Sequence, residues 1–224
     1  MAPLEDFTLM TEADANGRYA VTATTIIVTS LKRNDLAHFV YKDQGAGVIG
    51  DITLGTEFDI INSGGGNASA IFVYIISDLI GDFIDHNSIA EPGFTIFMNR
   101  SGGGAYALFI QGTGGVGPFD LTAMPTSSRR YLTVTRAAGV MTVKVYSDAA
   151  RLTLLDTIAI SHLTGSYRYQ YVVSSYGSAT AGAMSGDVRN YEIKDVVEEE
   201  EGPSLLSFKR GAARGVNRGL RRAA

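Results

Sequence analysis

The chain has 224 residues, of which 45% are hydrophobic, and its formal net charge at pH 7 is −4. This length suits one large domain with a full apolar core. It contains no Cys, so disulfides and thiol nucleophiles are excluded. The apolar stretch nearest in length to a membrane helix, Ala70 to Ile76, is only strand-sized, so we expect no contact with a membrane.

The N-terminus, Met1 to Asp6, contains two acidic residues and lacks the charged-then-apolar order of a signal peptide. We therefore expect a protein made in a cytoplasm and retained there, or released by lysis. Residues 1–18 are predicted to form an N-terminal segment ahead of the main domain at 19–195.

From residue 19 to residue 194, short apolar or alternating runs are separated by Gly, Asn, Asp and Ser. Such runs favour strands bounded by turns. The predicted strands lie near 19–30, 37–42, 56–62, 69–77, 93–98, 104–111, 130–136, 140–147, 153–160, 167–175 and 185–194. Eleven predicted strands and no convincing helix indicate an all-β, antiparallel two-sheet jelly-roll sandwich.

Asp82, Asp85 and Asn87 place three oxygen-bearing side chains within six residues of a loop that begins at Gly81. Such a loop can contribute to a Ca²⁺ site, but calcium needs six to eight oxygen ligands. A solvated turn is the favoured interpretation, and we expect no cofactor. The three histidines, His38, His86 and His162, lack the spacing of zinc ligands.

Tyr167, Tyr169 and Tyr171 recur at a period of two, which places them on one face of a predicted strand. Two interpretations are open. The favoured one is an aromatic row packed within the sandwich. The alternative is a platform on which sugar rings stack.

After Ile193 the composition changes. An acidic linker at 196–203 contains Glu198 to Glu201 and ends in Gly202-Pro203, and a basic arm follows at 204–224. The arm residues predicted to take part in assembly are Leu205, Leu206, Phe208, Lys209, Arg210, Arg214, Arg218, Arg221 and Arg222. The arm is either a solvated end or an element that becomes ordered on an acidic partner, such as nucleic acid or a neighbouring subunit.

Several segments of the sequence carry a family resemblance: 41–47 leading into 50–53 and 57–59, 131–136 with 143–148, 169–176, and 185–188. These segments resemble the concanavalin A-like lectin/glucanase superfamily, and in particular the laminin-G-like domains found in phage and environmental sequences. The resemblance covers roughly residues 18 to 194. It implies the jelly-roll fold but little about function, because this fold serves lectins, glycosidases, adhesion modules and virion proteins.

The segment Glu57 to Asn62 resembles the Glu-x-Asp strand of the laminarinase-type glycosidases in this superfamily. A retaining glycosidase needs a second carboxyl group as acid/base. Asn62 stands at that position, and an amide cannot donate and recover a proton at neutral pH. We therefore expect no enzymatic activity and predict no catalytic residues.

The leading hypothesis is a non-enzymatic structural or display protein of a bacteriophage-like virion, as a capsid decoration or tail-associated protein tethered by its basic arm. Its expected partners are other virion subunits and further copies of itself, with nucleic acid as a possible partner of the arm. The alternative is a carbohydrate-binding module that recognises a surface glycan. A third hypothesis is a degenerate glycoside hydrolase.

Overall fold

The computed structural model describes residues 4–49, 54–65, 69–88, 93–100, 106–112, 119–125, 127–137, 139–161, 165–177 and 182–195. These residues form fourteen strands, a short helix and a 3₁₀ turn at Phe7–Leu9. The strands are β1 (Thr11–Ala13), β2 (Tyr19–Val21), β3 (Thr25–Lys32), β4 (Phe39–Asp43), β5 (Leu54–Gly65), β6 (Ser69–Ser77), β7 (Phe94–Arg100), β8 (Tyr106–Gly112), β9 (Phe119–Ala123), β10 (Arg130–Ala137), β11 (Val140–Tyr146), β12 (Leu154–Ser161), β13 (Tyr169–Ser174) and β14 (Ala183–Asp195). The helix, α1, spans Phe83–Ser88.

The strands form two seven-stranded sheets. The first sheet has the order β1-β4-β13-β6-β7-β8-β9, and the second has the order β12-β11-β10-β5-β14-β3-β2. All paired neighbours are antiparallel, which confirms the predicted two-sheet jelly-roll sandwich.

The main core lies between the sheets and, in strands such as β10 and β11, uses alternate residues. In the second sheet, Leu132 and Val134 of β10 are buried and lie beside the buried Val145 and Val143 of β11 in the register. Between them, Thr133 of β10 is half-buried and Lys144 of β11 is exposed. One face of this sheet therefore packs into the core and the other faces solvent, as the alternation predicts.

The predicted strand at 19–30 is in fact the hairpin of β2 and β3. Thr22 closes the turn, because its N–H and its hydroxyl both donate to Thr25 O, at 2.8 and 3.0 Å. A threonine that bonds the backbone two or three residues away competes with strand pairing. The short strands β1 and β9 and the helix α1 were also not predicted.

The N-terminal segment belongs to the sandwich, so the predicted domain start at residue 19 is wrong. Strand β1 pairs with β4, and Phe7 is buried in the core with its ring centroid 6.0 Å from that of Tyr191. The Glu5 N–H donates to Tyr191 O at 2.8 Å, so the segment joins the chain just before the end of β14. In the described ranges, no helix has both the length and the apolar character needed to span a membrane. The linker at 196–203 and the arm at 204–224 lie outside the described residues.

Candidate functional site

The first sheet carries apolar side chains on both faces. In β7, Ile96 and Met98 belong to the main core, while Phe97 between them belongs to a second cluster. Strands β4, β8 and β13 show the same division. Since neighbouring residues of a strand face opposite ways, the second cluster lies on the outer face of the sheet, away from the main core.

We call this second group of side chains the outer aromatic cluster. Its buried members are Phe39, Phe97, Tyr169 and Tyr171, and the partly buried members packed against them are Ala13, Tyr41, Ile84, Phe109 and Tyr176. Six of these nine residues are aromatic rings drawn from four strands of the sheet, and Tyr176 adds a seventh from the loop after β13. Aromatic side chains of this size contribute a large contact area with few rotatable bonds.

Neighbouring rings of the outer aromatic cluster contact one another in pairs. Tyr41 meets Tyr169 edge to face at 5.5 Å between centroids and lies 5.4 Å from Tyr171. Across the sheet, Phe97 and Phe109 are stacked at 5.1 Å with an interplanar angle of 9°. These separations fall in the range that aromatic pairs prefer. The rings therefore pack against one another as one continuous group.

Accessible area on this surface comes from its partly buried members. Tyr171 is fully buried and Tyr169 is 8% exposed, so neither can stack on a ligand with its full face. Tyr41 and Phe109 are half-buried and reach solvent.

A charged pair borders the tyrosines of the cluster. The Arg168 guanidinium donates to both carboxylate oxygens of Asp43, from Nε to Oδ1 at 2.9 Å and from Nη2 to Oδ2 at 2.7 Å. Its Cζ lies 5.0 Å from the centroid of the Tyr169 ring. The hydrogen bonds from Arg168 and from the Gly45 N–H lower the pKa of the Asp43 carboxyl below its usual value. The side chains of Arg168 and Asp43 are 44% and 41% exposed and can form hydrogen bonds with hydroxyl groups.

Tyr171 is fixed by the loop before α1. Its hydroxyl donates to Leu79 O at 2.8 Å and accepts from the Gly81 N–H at 3.1 Å. Burial raises the pKa of this hydroxyl, so it stays protonated. The His86 ring packs against Tyr171 with its centroid 4.9 Å away.

His86 is buried and neutral. Its Nε2 lies 3.1 Å from Gly81 O, a carbonyl that can only accept, so the proton is assigned to Nε2. The unprotonated Nδ1 then accepts from the Ser77 hydroxyl at 3.0 Å. Burial lowers the pKa of His86 to about 4.

The carboxylates of Asp82 and Asp85 serve as caps of α1. Asp82 accepts from the N–H groups of Ile84 and Asp85 at 3.0 and 3.3 Å, and from Ala37 N–H at 3.3 Å. Asp85 accepts from the Asp82 N–H at 3.0 Å, as in a capping box. Asp82 is only 4% exposed, so the favoured interpretation of a solvated turn is wrong for this residue.

A Ca²⁺ site in this segment would need the carboxylate oxygens of Asp82 and Asp85, which already accept hydrogen bonds as caps of α1. The side chain of Asn87 lies outside the described residues. Among the residues described, no three His, Asp or Glu side chains are grouped so that they could hold a metal ion.

The three tyrosines of the predicted row do not share a face. Tyr167 precedes β13 and pairs with Ile49 through an isolated bridge. Its ring lies in the main core, with the Arg136 Cζ 4.9 Å from its centroid. Only Tyr169 and Tyr171 belong to the outer aromatic cluster. The period of two fails because the regular strand begins at Tyr169.

Glu57 and Asp59 lie in the second sheet, whereas the outer aromatic cluster lies on the first. In the register, Glu57 lies opposite Thr133 and Asp59 opposite Tyr131, while Asn62 lies opposite Gly186 of β14. The proposed arm residues, from Leu205 to Arg222, lie outside the described part of the chain.

Sequence reasoning did not assign a site role to Phe39, Tyr41, Phe97 or Phe109. A signal was present, because Phe39 and Tyr41 alternate with Val40. The segment Phe94 to Met98, however, is buried at every position. A mostly apolar run of this kind, interrupted only by Thr95, does not reveal which of its faces belongs to the main core.

No known protein-family model matches this sequence, and no curated protein sequence matches it. Solved structures match its fold. A functionally unknown protein from Saccharomyces cerevisiae is similar with a TM-score of 0.58 and 13% identity, covering 86% of this chain and 99% of that chain.

The exoplasmic/lumenal domain of VIP36, with Ca²⁺ and Man3GlcNAc bound, is similar with a TM-score of 0.53 and 12% identity, over 89% of this chain and 92% of that one. An alginate lyase from Alteromonas sp. 272 is similar with a TM-score of 0.50 and 9% identity, over 83% and 93% of the two chains. These likenesses show the fold alone, a two-sheet jelly-roll sandwich.

Proposed function

We propose that the protein is a non-enzymatic carbohydrate-binding module whose site is the outer aromatic cluster of the first sheet. The observation that carries the proposal is the position of this cluster. Four strands place aromatic rings on the face turned away from the main core. A partly exposed apolar surface beside polar groups is typical of a binding site.

The chemistry of the cluster suits a sugar. The partly exposed rings of Tyr41 and Phe109 offer flat apolar surfaces to the C–H face of a pyranose, since an aromatic ring presents a large and rigid contact area. Beside Tyr169, the Arg168–Asp43 pair offers both donors and acceptors for hydroxyl groups. Two structural neighbours add support, because one is solved with a mannose-containing glycan bound and the other is an alginate lyase.

Binding without catalysis is the simplest form of the proposal. The only glycosidase-like motif, Glu57 to Asn62, lies in the second sheet and has an amide where an acid/base carboxyl is needed.

A glycan array with the purified protein tests the proposal. We expect binding to at least one glycan, and at least tenfold weaker binding for Tyr41→Ala and Phe109→Ala. Tyr146→Ala is the matched control, because Tyr146 is a half-buried tyrosine of β11 in the second sheet. Thermal melts of each variant separate loss of binding from loss of folding. Equal binding by all three variants would place the site elsewhere, and no binding to any glycan would contradict the proposal.

A role as a structural or display protein of a bacteriophage-like virion is the second candidate. Its support is an exposed apolar edge on the second sheet, where Leu152, Leu154 and Leu155 are 84%, 50% and 49% exposed. Exposed leucines in such a group favour contact with another subunit. In this role the basic arm would tether the domain to other virion subunits or to nucleic acid. We expect deletion of residues 202–224 to abolish incorporation into a particle, and normal incorporation would contradict this role.

A further inference from the structure

A second arginine lies over a tyrosine of the outer aromatic cluster. Arg33 directly follows β3, and its N–H donates to Gly182 O at 2.6 Å. Its guanidinium Cζ lies 4.0 Å from the centroid of the Tyr176 ring. Tyr176 is packed against the cluster, and its carbonyl accepts from the Ile84 N–H at 3.0 Å. Backbone hydrogen bonds therefore hold both Arg33 and Tyr176 at one end of the cluster.

The charge of Arg33 has no counterion in the described part of the chain. Its Nε is buried and has no hydrogen-bond partner. The nearby Asp35 is already used, since it accepts from Arg18 Nε and from the Lys32 N–H, both at 2.9 Å. Asp82, in the neighbouring loop, accepts three backbone N–H groups. Neither carboxylate therefore forms an ion pair with Arg33.

Arg168 provides an internal comparison, because it also lies over a tyrosine of the cluster. Its charge is neutralised by two hydrogen bonds to Asp43. An incoming anion would have to displace that carboxylate from Arg168. At Arg33 no carboxylate of the described residues would have to be displaced. A guanidinium backed by an aromatic ring is a strong and geometrically selective site for a carboxylate or sulfate group.

We infer that Arg33 makes the site selective for acidic glycans, by pairing with a carboxylate or sulfate group of a sugar that contacts the outer aromatic cluster. This inference rests on the proposed carbohydrate binding and adds the class of ligand. The cluster would supply apolar contact to the sugar ring, and Arg33 would supply the charge selection.

Two oligosaccharide series with the same β-1,4 backbone test the inference. Cello-oligosaccharides carry a neutral C6 hydroxymethyl group, and their C6-oxidised glucuronate counterparts carry a carboxylate. Calorimetric titration at low salt should show at least tenfold tighter binding of the glucuronate series. That preference should shrink as salt is raised, since salt screens exposed charges.

Variants of the two arginines locate the selectivity. Arg33→Gln should remove the preference for the glucuronate series while leaving binding of the neutral series within about twofold. Arg168→Gln, the matched control, should keep the preference. Equal affinity of the full-length protein for both series, or a preference that survives Arg33→Gln, would overturn the inference and leave carbohydrate binding intact. If the protein binds no glycan at all, neither these two series nor any on the array, carbohydrate binding and the inference are overturned together.

Discussion

Gly177 lies against the carboxylate that caps α1, and replacing it with alanine tests how firmly that cap is held. The residue has φ +74°, and an added Cβ would overlap all three carboxyl atoms of Asp82. Asp82 has little room to move because three backbone N–H groups bind it. Gly177→Ala must therefore strain the backbone and also displace the cap.

The two costs can be separated. Left-handed backbone costs a non-glycine residue about 1–2 kcal/mol, and loss of a helix cap costs about 1 kcal/mol more. We expect Gly177→Ala to lower the free energy of unfolding by about 2–3 kcal/mol. For a domain of this size that corresponds to a fall in Tm of about 4–12 °C.

Gly17→Ala is the matched control, since Gly17 has φ +63° but nothing within 4 Å of an added Cβ. It should cost only the backbone strain. Urea unfolding of both variants measures the difference, which should be at least about 1 kcal/mol. In an Asp82→Ala background, Gly177→Ala should cost no more than Gly17→Ala, because the overlapping group is gone. Equal destabilisation by the two glycine variants in the unmodified background would refute the argument.

Three further predictions concern buried groups and activity. Tyr171→Phe removes two hydrogen bonds and should cost about 2 kcal/mol in urea unfolding, whereas Tyr146→Phe, whose hydroxyl has no partner among the described residues, should cost under about 0.5 kcal/mol. As the pH falls, His86 becomes protonated near pH 6.5 in the unfolded state but only near pH 4 in the folded state. The free energy of unfolding should therefore be at its full value above pH 6.5 and fall by up to about 3 kcal/mol as the pH drops to about 4. His86→Gln should lack this loss, and an unchanged pH profile would show that His86 is not buried as described. Incubation with laminarin should release no reducing ends, and release that disappears in Glu57→Gln would restore the glycosidase hypothesis.

Much of the fold could be predicted from the sequence because apolar and polar residues alternate along many strands, and this alternation indicates both the strand and its buried face. The bounds of β6, 69–77, are as predicted, and Leu132 and Val134 of β10 are buried as their pattern indicates. Strands such as β1, with three residues, are too short to show a period. They form because a longer neighbour offers a free edge, which is a property of the folded sheet.

The candidate site was harder to predict because its residues meet only through strand pairing. Phe97 and Phe109 are opposite each other in the β7–β8 register, and Tyr41 is opposite Tyr171 in the β4–β13 register. Nothing local in the sequence joins residue 41 to residue 171. Tyr167 shows the opposite kind of error. The period of two holds for Tyr169 and Tyr171 but was applied to Tyr167, which precedes β13.

The most direct test of carbohydrate binding at the outer aromatic cluster is ¹⁹F NMR of protein labelled with 3-fluorotyrosine, titrated with the glycan that binds most tightly on the array. The chain has 11 tyrosines and no Trp, so single Tyr→Phe variants can assign the signals. We predict saturable shifts of the Tyr41 and Tyr169 resonances, with those of Tyr19 in the main core and Tyr146 in the second sheet unchanged. Shifts confined to Tyr146, or saturation with no change at Tyr41 and Tyr169, would contradict the account.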